Sequence, residues 1–176
     1  MYNLYDSLPD TIEVNGRLFP ILTDFRAWLK FGSLIDKKCL YSDISYLLEI
    51  PQDRLYIDED VFQALYDFYN FQPKYPKGSG GKNVVSFEDD APYIYASFME
   101  TYGIDLLTAK LHWWQFLALF RGLFIHYKDI TGYRGYNGDD KELLKARSDW
   151  QLSEAKMGDK DIIKILLHGG DFTKGG

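Results

Sequence analysis

One cysteine, Cys39, stands in 176 residues, which excludes an intramolecular disulfide and any multi-cysteine zinc site. The expected place for it is the interior, as a small hydrophobe. A nucleophilic thiol would need a histidine brought from elsewhere in the fold. Histidine is nearly as scarce, and His112, His126 and His168 fall into no HExxH or other short metal-ligand spacing. Positive charge is also short: 20 Lys and Arg against 26 Asp and Glu give a net charge of −6 and a pI near 5.0. Such a chain is a poor match for nucleic acid, whose phosphates are met by a basic face. No apolar run reaches the roughly 18 to 20 residues that cross a bilayer. Leu111 to Ile125 comes closest, and Gln115 and Arg121 interrupt it. The opening has no basic segment followed by an apolar core, because Asp6, Asp10 and Glu13 intervene. No membrane attachment and no standard secretion signal are expected.

What remains is a foldable, aromatic-rich chain. Hydrophobic residues make up 46% and charged residues 26%, the balance of a folded domain, while aromatics reach 17%. Thr11 to Val14 and Arg17 to Phe19 alternate around Asn15-Gly16, the dipeptide best suited to a type I′ turn. A hairpin over 11–21 is predicted, and alone it is marginal, so it should lie against helices. Thr23 or Asp24 caps the next helix, with Phe25, Trp28, Leu29 and Gly32 on one face. A short helix ends at Leu47 to Ile50 before Pro51. Asp58, Glu59 and Asp60 open a third helix that carries Val61, Phe62, Leu65, Phe68 and Tyr69.

Residues 73–83 break the pattern with two prolines, three glycines and a serine among lysines, and read as a mobile loop. The tract Gly78-Ser79-Gly80-Gly81-Lys82 is not a phosphate loop, because Asn83 stands where Ser or Thr would reach magnesium. Beyond the break, Ser86 with Asp89, and Pro92 in the first turn, start a helix. Tyr95, Phe98, Met99 and Tyr102 at i, i+3, i+4 and i+7 are expected on its buried face, and Gly103 stops it. Lys110 to Phe124 repeats the spacing through Trp113, Phe116, Leu117 and Phe120. The two form an antiparallel pair whose aromatic faces bury each other, the expected core of the fold.

Asp89-Asp90 and Asp139-Asp140 look like paired carboxylates, yet each precedes a predicted helix and suits its positive end. A glycosidase would need two carboxylates on one cleft, which adjacency in sequence does not supply. His112 beside Trp113 reads as a packing or capping histidine. Asp139 to Lys156 reads as an amphipathic helix in which Leu143, Leu144, Trp150 and Leu152 interrupt a charged surface. Residues 158–176 end in glycines and read as a flexible tail, with Ile162, Ile163, Leu166 and Leu167 able to form a turn or two. The fold class is mainly α: a compact helical domain over 1–157, built on an aromatic helix pair, with a small N-terminal β-hairpin.

Several of these residues carry a family resemblance. Phe87, Asp90-Ala91, Tyr93 to Ala96, Phe98, Tyr102 to Leu106, Leu111-His112-Trp113-Trp114, Phe116, Ala118 to Phe120, Gly122-Leu123 and Ile130 to Arg134 resemble the signature of the bacteriophage gene-product-fifteen family. Leu8-Pro9-Asp10, the hairpin Ile12 to Pro20, and Asp24-Phe25-Arg26 fit its opening, so the resemblance covers about residues 1 to 150. It implies a protein of tailed phages and prophages of Gram-positive bacteria, encoded near the major tail protein and the tape measure protein. That position is one occupied by tail assembly chaperones.

The resemblance therefore implies a non-enzymatic tail assembly protein in the cytoplasm of the bacterial host. It needs no cofactor or metal and binds the tape measure protein, the major tail protein, or both. A structural tail or connector component of the virion is the alternative, a small hydrolase a further one, and self-association stays open. Trp150, Leu143, Tyr133 and Arg134 are the candidate partner-binding residues, with Trp150 the foremost because Trp buries a large area at little rotamer cost.

Overall fold

The Asn15-Gly16 turn forms as its chemistry requires. Both residues take positive φ, 51° and 75°, in a computed structural model that describes residues 6–36, 41–50, 57–71, 84–123 and 126–152. Strands β1 (Thr11–Val14) and β2 (Arg17–Pro20) pair antiparallel, with Val14 opposite Arg17. Six α-helices follow: α1 (Phe25–Asp36), α2 (Glu59–Tyr69), α3 (Ala91–Tyr102), α4 (Trp113–Arg121), α5 (His126–Gly135) and α6 (Lys141–Asp149). A 3-10 helix, Tyr41–Leu47, stands where the short second helix was expected. The fold is mainly α with a small N-terminal hairpin and a buried aromatic cluster. The expected loop 73–83, Cys39 and the expected tail 158–176 lie outside the described residues.

The chain divides into two compact units. The first gathers the described residues up to Pro73 together with Leu111–Trp114. The second gathers those of Lys74–Lys110 and Gln115–Lys156, so α4 gives its first two residues to one unit and the remainder to the other.

In the first unit the hairpin lies against α2, as expected. Ile12 and Val14 are buried, and Asn15 at the turn donates from Nδ2 to Asp60 Oδ2 at 2.9 Å. Asp58 caps α2 by accepting from the Val61 N–H, and Asp24 caps α1 by accepting from the Arg26 N–H. The buried face of α1 is Phe25, Trp28, Phe31 and Ile35; Leu29, assigned to that face by spacing, is only half-buried. Trp28 meets Phe31 edge-on at 5.5 Å and Phe68 at 4.6 Å, and its indole donates to the Leu22 carbonyl at 2.7 Å. Each fully buried ring of this kind contributes several kcal/mol, at about 25 cal/mol per Å² removed from water.

Trp113 and Trp114 belong to this unit. Trp113 stacks on Tyr69 at 5.2 Å and 7°, while Trp114 stacks on Phe68 at 5.0 Å and on Phe71 at 3.7 Å. Their indoles donate to the Tyr69 and Phe68 carbonyls at 2.9 and 3.0 Å. The last carbonyls of a helix have no acceptor role within it. The Trp pair satisfies them and covers the end of α2. This corrects the expectation that Trp113 packs in an α3–α4 aromatic face. The segment before α4 is held open and extended, because the Phe25 N–H donates to Leu111 O and the Trp113 N–H to Thr23 O. For that reason α4 begins at Trp113 and not at Lys110.

In the second unit α3 and α4 do meet through aromatics: Phe98 stacks on Phe116 at 5.3 Å and 6°. Phe87 fills in against Phe116 and Phe120, and the Tyr102 hydroxyl donates to Leu119 O at 2.9 Å. Gly103, at φ 65°, closes α3 in the left-handed conformation that glycine adopts without strain. The buried face of α3 is, however, Ile94, Ser97 and Phe98, and Met99 is 42% exposed. That is a rotation of the expected stripe. Helix α5 was not foreseen at all; of its described apolar residues only Ile130 is buried, so it offers little hydrophobic periodicity to read.

Candidate partner-binding surface

The entry to α3 is organised by an ion pair. Asp90 precedes the helix, yet its carboxylate does not cap it. It is turned onto Arg134 of α5, with Nη2 to Oδ1 at 2.6 Å and Nη1 to Oδ2 at 2.7 Å, and it also accepts the Ser86 N–H. The Ser86 hydroxyl accepts from Asp89 N–H, as expected, but it shapes the turn before the helix. Arg134 further donates to Val84 O and, from Nε, to the carbonyl of Trp150. One guanidinium thus ties the 84–90 turn, the end of α5 and the end of α6 together, in the planar, multidentate manner that arginine allows.

Helix α6 is fastened by polar contacts. Asp140 caps it by accepting from the N–H groups of Glu142 and Leu143, as its position suggested. Arg147 donates to Tyr136 O and Asn137 Oδ1. No residue of α6 itself is buried. The helix spans Lys141–Asp149 with Trp150 as its C-cap, so it stops short of the expected run to Lys156: the described Gln151 and Leu152 are not helical, and 153–156 lie outside the described residues.

The four candidate residues fall in different places. Arg134 lies inside the fold, its side chain 7% exposed against Asp90 at 0%, so its guanidinium is no surface group. Tyr133 and Leu143 are half-buried. Trp150 is half-buried and meets Tyr93 edge-on at 5.2 Å. Its neighbour Tyr93 is exposed, as are Met99 on α3 and Leu144 on α6. Trp150 and Tyr93 therefore form one aromatic junction between α6 and α3. The exposed side of α3 was missed from the sequence, although a signal was there: of twelve residues in this helix only Glu100 is charged. A helix with one dry face ordinarily carries charge on the other.

The groups considered for chemistry are engaged elsewhere. His112 donates from Nε2 to Pro9 O at 2.9 Å and accepts the Trp114 N–H at Nδ1, which is the capping role expected of it. Burial holds its pKa below the ordinary 6.5, against smaller opposing effects from the Pro9 carbonyl and Asp10. Asp89 is exposed while Asp90 is consumed by Arg134, so the two carboxylates do not face a shared cleft. Among the described residues no group of three or more His, Cys, Asp or Glu stands close enough to hold a metal, and no helix is long and apolar enough to cross a membrane. Cys39, His168 and the side chain of His126 lie outside the described part.

Compared with known proteins, residues 4–156 match the family described as Bacteriophage Gp15 protein. No curated protein and no solved structure matches the chain.

Proposed function

Because this chain belongs to the bacteriophage Gp15 protein family, we propose that it is a non-catalytic tail assembly chaperone. It binds the tape measure protein, the major tail protein, or both, in the cytoplasm of the bacterial host. The observation that carries this reading is the apolar surface on an acidic protein: Tyr93, Met99 and Leu144 exposed, with Trp150 packed beside Tyr93. Of these, Trp150 and Tyr93 are in contact, the kind of part-exposed aromatic pair that suits a partner contact. A tape measure protein is long, helical and apolar-striped, so before assembly it needs cover; a reversible aromatic contact supplies cover that tail tube subunits can displace. No nucleotide is needed for such an exchange.

Co-expression with the cognate tape measure protein tests the proposal. The soluble yield of that protein should rise, and the two should co-purify. Trp150→Ala should weaken co-purification with little change in melting, since Arg134 holds the Trp150 backbone carbonyl and not its ring. Absence of binding to, and of any solubility effect on, both the tape measure and the major tail protein would overturn it. Mass spectrometry of purified particles decides the alternative: a tail or connector component persists in the virion at fixed stoichiometry, whereas a chaperone is depleted.

A further inference from the structure

Helix α6 packs on α5 through one half-buried stripe, Leu143, Ala146, Arg147 and the C-cap Trp150, at i, i+3, i+4 and i+7; its other residues are exposed. Its amino end is self-contained. Asp140 caps the helix, the Tyr136 hydroxyl accepts the Asp140 N–H, and Arg147 reaches back to Tyr136 O and Asn137 Oδ1, so all of these bonds stay within residues 136–149. Among the described residues, two hydrogen-bonding or ring contacts tie the helix and its caps to anything before Tyr136, and Trp150 makes both. Its carbonyl accepts from Arg134 Nε, and its ring meets Tyr93 edge-on at 5.2 Å. Between α5 and α6, residues 136–140 are not helical, and Asn137, Gly138 and Asp139 are exposed.

We infer that α6 is a hinged flap, which swings on residues 137–139 and is latched shut at its far end by Trp150. An element that buries few apolar groups opens locally at a free energy far below that of global unfolding, and α6 buries none. Opening breaks no bond inside the flap, because its cap and the Arg147 hook travel with it. It also leaves the body whole, because Arg134 keeps its paired grip on Asp90 when the Trp150 carbonyl departs. A helix of nine residues is marginal once detached, since isolated helices shorter than about 12 to 15 residues are so in water, and the open flap therefore frays and re-forms on closing. A hinge of a few exposed loop residues at one end and a latch at the other is the usual build of a closing element. What the flap closes on is supplied by the chaperone reading, on which this inference rests for that alone; the motion stands on how α6 is attached.

Amide hydrogen exchange on the full-length protein, resolved by NMR, tests it. The amides of residues 144–150 should be at least about a hundredfold less protected than those of Ser97 and Phe98 in α3, and should share one value, because the flap opens as a unit. Trp150→Ala should lower the protection of all of them by about threefold or more while Ser97, Phe98 and the melting temperature change little. Tyr93→Ala removes the other half of the ring contact and should do the same, so it carries the test if Trp150→Ala does not fold. Failure of both to fold would place the latch in the structural core and overturn the inference. So would protection in α6 equal to that in α3, a loss confined to the last turn, which is fraying, or an equal loss in α3, which is global unfolding. Binding separates the two readings. In a complex with a tail protein, protection of residues 144–150 should rise by about tenfold or more; an unchanged value overturns the flap while co-purification upholds the chaperone reading. If neither tail protein binds, the chaperone reading falls and exchange in the free protein still decides the flap.

Discussion

Arg134 and Asp90 grip each other through two parallel hydrogen bonds, at 2.6 and 2.7 Å, with almost no exposure to solvent. Breaking such a pair from one side strands a charge in the interior. Arg134→Ala should therefore destabilise the protein by about 3 to 5 kcal/mol. Replacing both partners with apolar residues of similar volume should cost less than the single change, and urea unfolding of the three proteins checks the order.

His112 should make stability depend on pH. Its folded-state pKa lies below the ordinary 6.5, so the unfolded chain takes up its proton first as pH falls. The neutral ring's contribution is complete above about 6.5 and is lost progressively below it. Protonation would also put a hydrogen on Nδ1, where the Trp114 N–H already donates. His112→Ala should be less stable at neutral pH and show a shallower loss of stability between pH 7 and 5, as read from melting curves in matched buffers.

Gly32 is required by contact and not by backbone shape. A Cβ there would collide with the Tyr69 hydroxyl and sit 3.1 Å from its Cζ, and that ring is stacked on Trp113. Gly32→Ala should destabilise by about 1 to 3 kcal/mol, even though alanine is the better helix former by about 1 kcal/mol. Adding Tyr69→Phe removes the colliding oxygen and should recover part of the loss.

Trp113 and Trp114 should differ sharply. Trp113 is 1% exposed and Trp114 is half-buried. Trp113→Ala should cost about 3 to 5 kcal/mol, and Trp114→Ala less. Equal melting temperatures for the two variants would contradict the placement.

Local chemistry was readable from sequence wherever it is self-contained. Asn15-Gly16 fixed its turn, Asp58 and Asp140 their caps, and Gly103 a helix end. What could not be read needs a distant partner. The Trp113 indole meets a carbonyl 44 positions earlier, and Arg134 meets Asp90 across the same separation. Arginine is mostly found at the surface, so without Asp90 in view Arg134 looks like a contact residue. For α3 the difficulty was of another kind. Spacing shows that a helix forms, but a helix with a single charge has no polar side to fix its rotation, and Met99 was placed on the buried face instead of Ile94.

The segment Leu111–Trp114 completes a unit whose other described residues lie before Pro73. During synthesis the amino-terminal part leaves the ribosome well before that segment does. Ribosomes add roughly 5 to 20 residues per second, so for several seconds the nascent chain holds Phe68, Tyr69 and Phe71 without the Trp pair that closes over them. The Tyr69 carbonyl at the end of α2 waits for the Trp113 indole. The amino-terminal part therefore cannot finish folding in the order in which it is made, and its maturation is set by the arrival of four residues from the second half of the chain.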